Sequence, residues 1–303
     1  MDGRLPNLLI AGVPKAGTSS LFRYLAQHPD ICAASVKEIR YFKPLRDPEG
    51  RVGPLDEYRS YFAHCGGSRY AMEATPSYCY GGKRMIQAIQ EVLPRPRVII
   101  SLRNPVDRLW SAYTFQRTKG NLGNHASFED YLVRCEQKTQ GIDTGRYFGG
   151  IQIGLYCNYL SDWFDALDDD TRVIFTDHLF ADPASVVAEL CRWLGIDDGS
   201  VRGFDYVVRN KTAHAKNLTL SRSARAAKRS VDGILRRVPG AKDRLRGIYN
   251  AINTGDLQEE MSPEARRRLE ERFEASNAAI AELLRARGYD RLPSWLEARA
   301  RTA

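Results

Sequence analysis

Pro6-Asn7-Leu8-Leu9-Ile10-Ala11-Gly12-Val13-Pro14-Lys15-Ala16-Gly17-Thr18-Ser19-Ser20 decides the fold. Leu8, Leu9 and Ile10 form a short apolar run suited to a parallel strand covered on both faces. Gly12 and Gly17 let the backbone turn tightly and approach a ligand with no Cβ in the way. Leu21, Phe22 and Leu25 give the next segment an apolar helical face, and Thr18 or Ser19 is placed to cap its start. Strand, turn and helix start together make an anion site, because a helix N-terminus offers free N–H groups and the positive end of its dipole. An ATP-binding loop of the Gly-x-x-x-x-Gly-Lys-Ser/Thr type carries its lysine directly after the second glycine. Here Thr18 stands in that place and the lysine is Lys15. The cradle is kept, but the cation that reaches β- and γ-phosphates has moved. That points to an anionic nucleotide other than ATP used as a phosphoryl donor. Taken alone, the loop also fits an ordinary strand–turn–helix with a solvent-facing lysine.

A second strand–turn–helix follows about 90 residues later, from Arg97-Val98-Ile99-Ile100-Ser101-Leu102 through Arg103-Asn104-Pro105 to Ser111-Ala112-Tyr113. Arg103 falls at the strand end, and Pro105 suits a first helical turn. Ser111 lies two turns in, roughly 10 Å along the helix by rise per residue. An arginine fork and a serine hydroxyl at that spacing can bracket a phosphate. A nucleoside triphosphatase places an aspartate here to hold Mg²⁺; Arg103 in its stead favours a metal-free site. The local alternative is an i,i+4 pair of Arg103 with Asp107.

Composition bounds the rest. The 303 residues can bury a large core, and 43% hydrophobic with 27% charged residues is an ordinary globular balance. A net charge of +8 favours anionic ligands without separating nucleotide, acidic glycan, nucleic acid and lipid headgroup. Six cysteines, with no Cys-x-x-Cys, read as reduced thiols, neither a disulfide framework nor a zinc site. No apolar run approaches the roughly 18 residues that span a bilayer. With no secretory signal evident, the expectation is a cytoplasmic enzyme.

Strand-like segments at 7–12, 69–73, 97–102 and 172–176 alternate with helix-like segments at 18–28, 82–93, 105–118, 127–139, 152–167, 184–194 and 264–287. This predicts an α/β fold: a P-loop-type parallel sheet flanked by helices, with a helical C-terminal extension. One domain is expected over 1–303, with its core at 6–200 and a loop and helical extension at 201–296.

These motifs resemble those of the sulfotransferases that use 3′-phosphoadenosine 5′-phosphosulfate (PAPS). Pro14-Lys15-Ala16-Gly17-Thr18-Ser19-Ser20-Leu21 is similar to that family's 5′-phosphosulfate loop, and Arg103 through Ser111 to its 3′-phosphate motif. Lys37-Glu38-Ile39-Arg40-Tyr41-Phe42 is similar to the segment carrying the catalytic carboxylate in the heparan-sulfate branch, and Glu73-Ala74-Thr75-Pro76-Ser77-Tyr78 to the strand end beside the acceptor. The resemblance spans about residues 6–296. It implies a sulfuryl transfer to a hydroxyl, or to an amine, of a carbohydrate, lipid or natural-product acceptor, leaving 3′-phosphoadenosine 5′-phosphate (PAP). Lys15 and Glu38 are implied as catalytic. Lys15, Ala16, Gly17, Thr18, Ser19, Ser20, Arg103 and Ser111 are implied around the nucleotide, with Lys211, His214 and Lys216 closing over it. Lys37, Tyr41, Glu73 and Tyr156 are implied at the acceptor. No metal is called for. From position alone, Glu38 reads instead as a surface carboxylate paired with Lys37 or Arg40. Phe175-Thr176-Asp177-His178-Leu179 departs from a family pattern that has glutamate, and the late clamping loop at 209–216 is poorly matched.

Arg222, Arg225, Lys228, Arg229, Arg236, Arg237, Lys242, Arg244 and Arg246 make a basic stretch that suits peripheral contact with an acidic surface or a solvated helix face. Aromatic residues do not interleave with it, which argues against nucleic acid. Two other classes stay open: a P-loop kinase, opposed by Thr18 and Arg103, and a non-catalytic nucleotide-binding module.

Overall fold

The computed structural model describes residues 4–93, 95–122, 127–137, 147–207, 214–215, 254–255 and 259–297. Five strands form one parallel sheet: β1 (Leu8–Gly12), β2 (Ile31–Ala33), β3 (Tyr70–Ala74), β4 (Arg97–Leu102) and β5 (Thr171–Phe175). Their order is β2-β3-β1-β4-β5. Both faces are covered, so β1 and β3 are buried at every position. The expected α/β class with a parallel sheet and flanking helices is therefore what the chain adopts.

The helices are α1 (Thr18–Leu25), α2 (Leu55–Ser60), α3 (Gly82–Val92), α4 (Pro105–Thr118), α5 (Phe128–Glu136), α6 (Gly150–Gly154), α7 (Cys157–Leu167), α8 (Thr176–Ala181), α9 (Pro183–Leu194) and α10 (Pro263–Arg285). Local chemistry sets several of their ends. Asp182 accepts from the Ser185 N–H at 3.0 Å to open α9, and Gly195 closes it at φ 69°. Ser127 and Asp130 form a reciprocal capping box on α5.

The chain divides into two compact units. The first, Met1–Arg108, Ile153–Arg209 and Arg272–Ala303, holds the sheet. Its core includes Leu8, Ile10, Leu21, Tyr24, Met72, Ile99, Val187 and Leu190. The second comprises Leu109–Gln152 and Asn210–Glu271. Trp110, Tyr113, Phe128 and Tyr131 pack ring on ring there, and Glu259 accepts from the Tyr113 hydroxyl at 2.7 Å and the Phe128 N–H at 2.9 Å. A short antiparallel pair, β6 (His214–Ala215) with β7 (Thr254–Gly255), also belongs to it.

Three readings are corrected. Cys32 and Cys65 are bonded as a disulfide with Cα atoms 5.6 Å apart, so the six cysteines are not all reduced. The spacing carried no sign of this, because tertiary structure brings together residues 33 apart in sequence. The helix expected at 152–167 is two helices, α6 and α7, broken where Tyr156 turns inward and donates to the Arg103 carbonyl at 2.7 Å. β2 was missed altogether; its three residues are too few to show a period.

Candidate active site

In an open α/β sheet, ligands bind outside the carboxyl ends of the strands, at the point where strand order reverses. From β1 the chain runs toward β3 and β2, and from β4 toward β5, so the reversal lies between β1 and β4. The two sequence motifs are the loops that leave these two neighbours. The fold thus brings residues 13–17 and residue 103 to one place. Hydrogen bonds join them: the Val13 N–H donates to the Ser101 carbonyl at 2.9 Å, Ser101 Oγ to the Ala16 carbonyl at 2.6 Å, and an Arg103 Nη to the Lys15 carbonyl at 3.3 Å.

The loop turns through left-handed backbone at Lys15 and Gly17, both at φ 73°. Gly17 is itself the N-cap of α1 and no side chain caps the helix, so the expected capping by Thr18 or Ser19 is not found. A Cβ at Gly17 would lie 3.2 Å from Leu179 and would have to adopt that φ. Thr18, Ser20 and Ala16 are buried, whereas Lys15, Gly17 and Ser19 are partly exposed. The first turn of α1 holds no acidic residue. Lysine, hydroxyls, arginine and helix N–H groups form a donor set that fits an anion.

Arg103 is half-buried. Burial pushes its pKa down, while Asp107, Tyr156 and Asp177 push it back up; a guanidinium stays charged in such a place. Thr176 Oγ1 and the Tyr156 hydroxyl fix the turn by donating to the carbonyls of Leu102 and Arg103. Burial raises the Tyr156 phenol to about 12. Its hydroxyl is turned inward to the 103 carbonyl, so its part is to hold the Arg103 turn, not to line an acceptor surface. Ser111 is buried on α4, in the second unit, and its carbonyl accepts from Thr114 Oγ1 at 3.2 Å.

The Lys37–Phe42 segment runs along the end of β3. The Glu38 N–H donates to the Ala74 carbonyl at 3.0 Å, and Glu38 and Arg40 sit at φ 66° and 65°. The Glu38 carboxylate is paired with Arg40 at 2.6 Å and Lys37 at 3.4 Å, the arrangement expected of a surface carboxylate. Its side chain is still 37% exposed. Burial alone would raise its pKa; the Arg40 hydrogen bond and the charges of Lys37 and Arg40 outweigh that and hold it below the usual carboxylate value. Burial lowers Lys37, with Glu38 opposing. Tyr41 stacks on Tyr58 with ring centroids 4.2 Å apart and donates to the Gly53 carbonyl at 3.0 Å.

Glu73, expected at the acceptor, is 0% exposed. Thr75 Oγ1 and the Tyr78 hydroxyl donate to its Oε1 at 2.7 and 2.8 Å, and the Tyr58 hydroxyl donates to its Oε2. Its carboxylate faces these three hydroxyls, not open space. Thr75 and Tyr78 follow Glu73 closely in sequence, whereas Tyr58 is brought to it by packing from a separate segment, α2.

Lys211 and Lys216 lie outside the described residues, as does the basic stretch 222–246. His214 is described only as part of β6. Among the described residues, Cys32, His64 and Cys65 bring possible metal-ligand atoms within 4.8 Å of one another, but the two sulfurs are bonded to each other. No helix among the described residues is long and apolar enough to cross a membrane.

Residues 5–279 match the sulfotransferase domain family. The chain is 30% identical over 196 residues to heparan sulfate glucosamine 3-O-sulfotransferase 6 of Mus musculus and of Homo sapiens, covering 64% of this chain and 53% of those proteins. It is 29% identical over 195 residues to the human 3-O-sulfotransferase 3B1, covering 64% of this chain and 47% of that protein. The chain thus spans about half the length of the curated relatives it matches. A sulfotransferase from Alicyclobacillus acidocaldarius has the same fold, with a TM-score of 0.68 at 25% identity, covering 97% of this chain and 100% of that one.

Proposed function

The chain belongs to the sulfotransferase family, and from that premise we propose that it moves a sulfuryl group from PAPS to a hydroxyl of a carbohydrate-type acceptor. The likeness to glucosamine 3-O-sulfotransferases favours a sugar hydroxyl over an amine, a lipid or another natural product. The observation that carries the reading is the meeting of the Lys15–Gly17 loop and Arg103 at the reversal of the sheet, tied by the Ser101–Ala16 and Arg103–Lys15 hydrogen bonds. Bound PAPS would supply the activated sulfuryl group, passed in line to the acceptor oxygen as the 5′-phosphate leaves, with little covalent work for the protein.

The chain's own residues then act by position and charge. Lys15 offsets the charge that builds on the leaving 5′-phosphate. The Gly17 N–H with Thr18, Ser19 and Ser20 around it, and the buried Ala16 beneath, form the cradle. Arg103 and Ser111 offer the fork and the hydroxyl for the 3′-phosphate, the group that sets this nucleotide apart from AMP. With Arg103 where a metal-binding aspartate would stand, recognition of the phosphates calls for no Mg²⁺. Glu38, ionised by its pairing with Arg40 and Lys37, takes the proton of the acceptor hydroxyl. Lys37 and Tyr41 flank that acceptor. Lys211, His214 and Lys216 remain the candidates for closing over the nucleotide, with residues 222–246 for contact with an acidic surface. The Cys32–Cys65 disulfide favours an oxidising compartment over the cytoplasm.

The test is transfer of labelled sulfate from PAPS to a panel of hydroxyl acceptors, acidic oligosaccharides included, in the presence of EDTA. Label in an acceptor is the expected result. Phosphorylation from ATP–Mg²⁺ instead would favour a kinase, and PAP binding with no transfer to any acceptor would favour a binding module.

A further inference from the structure

The Glu73 carboxylate is a buried group that the transfer chemistry leaves without a part. Its surroundings give it one. Three alternate backbone N–H groups of the acceptor segment are held from the β3 end: Glu38 by the Ala74 carbonyl at 3.0 Å, Arg40 by Thr75 Oγ1 at 3.2 Å, and Phe42 by the Tyr78 hydroxyl at 3.2 Å. A hydroxyl has one proton to give. Thr75 and Tyr78 both give theirs to Glu73, which leaves their lone pairs facing the N–H groups of Arg40 and Phe42. The carboxylate thereby fixes the direction of both hydrogen-bond chains. Its other oxygen accepts from Tyr58, whose ring carries the stacked Tyr41 and packs against Phe42.

This hold opposes a local cost. Left-handed backbone at two non-glycine residues, Glu38 and Arg40, is unfavourable and persists only when the surroundings over-determine it. A fully buried carboxyl is also costly unless its oxygens are satisfied. Burial pushes the Glu73 pKa up, and the three hydroxyl donors pull it back. Both costs fall on one cluster, beneath the segment that bears Glu38.

We propose that Glu73 is a positioning residue for sulfuryl transfer: through Thr75 and Tyr78 it holds residues 38–42 in the backbone shape that aims Glu38 at the acceptor. This rests on the reading of Glu38 as the base. A misplacement of about 1 Å at a reacting group costs on the order of 10²-fold in rate.

The test uses the full chain with Glu73→Gln and two gentler variants, Thr75→Val and Tyr78→Phe, which leave the carboxylate in place should Glu73→Gln fail to fold. Each is assayed for PAP affinity, for turnover at saturating acceptor and for amide exchange of residues 38–42. The expected result is PAP affinity within about twofold of wild type, turnover down by roughly 10-fold in Thr75→Val and on the order of 10²-fold in Glu73→Gln, and faster exchange at 38–42. Adding Thr75→Val to Glu38→Gln should cost little more, since a mispositioned base and a missing one are the same loss. Full additivity with Glu38→Gln, or unchanged exchange at 38–42, would overturn the proposal. A fully active Glu38→Gln enzyme would overturn the base assignment and the catalytic half of this inference together, while the exchange data would still decide whether Glu73 holds the segment.

Discussion

The donor side and the acceptor side of the proposed site are built in different ways. The donor side is mostly backbone: two loops leave neighbouring strands β1 and β4, the first turns through Lys15 and Gly17, and the two are tied carbonyl to side chain. The acceptor side is mostly side chain. A carboxylate from β3 accepts from the hydroxyls of Tyr58, Thr75 and Tyr78, and Thr75 and Tyr78 in turn accept from the N–H groups of Arg40 and Phe42. A cradle made of backbone needs the right local conformations, and these follow from glycine placement and strand order. A segment shaped by a buried polar network depends on partners far away in sequence. Changes on the two sides should therefore separate: donor-side changes should act on nucleotide binding or on charge at the leaving group, acceptor-side changes on turnover or stability with PAP affinity kept.

The largest effect expected is at Glu38. Glu38→Gln keeps shape and hydrogen bonding but cannot take a proton, so turnover should fall by roughly 10²–10⁴-fold with PAP affinity unchanged in a thermal-shift titration. Near wild-type turnover on the true acceptor would remove Glu38 from the chemistry. On the donor side, Lys15→Ala should lower turnover by about 10²–10³-fold, the range for loss of one charge-stabilising group, and lower PAP affinity far less. Loss of affinity with turnover intact at saturation would make Lys15 a binding residue alone.

The disulfide gives an acceptor-side effect on stability. It closes a loop of 33 residues that contains the whole 37–42 segment, and removing it by Cys32→Ser should cost about 4 kcal/mol by chain-entropy reasoning. Denaturant unfolding measures this, and a native chain whose cysteines all react with a thiol reagent before reduction would contradict the bond. Gly17→Ala should cost less, about 1–2 kcal/mol for a Cβ forced into left-handed backbone, and should weaken PAP binding as the loop shifts. Smallest is the pH effect. The Glu38 pKa is held below 4.5, so its pairing with Lys37 and Arg40 stabilises the fold above that pH and is lost as pH falls through the depressed value. The acidic limb of kcat/KM should accordingly begin only below about pH 4.5 and vanish in Glu38→Gln. A limb near pH 6 would mean a different base.

The same contrast explains what could be read from the sequence. β4 and α4 fall at their expected bounds because Val98, Ile99, Ile100 and Leu102 make a mostly apolar run and Pro105 marks the helix entry. β1, β3 and β5 lie within a residue of expectation for the same reason. The donor loop was legible because its glycines and its displaced lysine are spaced within a dozen residues. On the acceptor side, Glu38 and Glu73 were brought forward by resemblance, and Glu73 proves fully buried among hydroxyls. Nothing local to Tyr58 announces that it shares a carboxylate with Thr75 and Tyr78, because it lies 15 residues from Glu73, whereas they lie two and five away. Cys32 and Cys65 are hidden in the same way, as is the break at Tyr156, which depends on a carbonyl 53 residues away.

The central claim is that the β1 and β4 loops form a site for a nucleotide carrying a 3′-phosphate. Isothermal titration of the full chain with PAP and with AMP, both in EDTA, tests it most directly. The account predicts that PAP binds on the order of 10²-fold more tightly than AMP, as charge-assisted hydrogen bonds to one extra phosphate provide, and that Arg103→Ala brings the two affinities together. Equal affinity for PAP and AMP in the wild-type chain would contradict it.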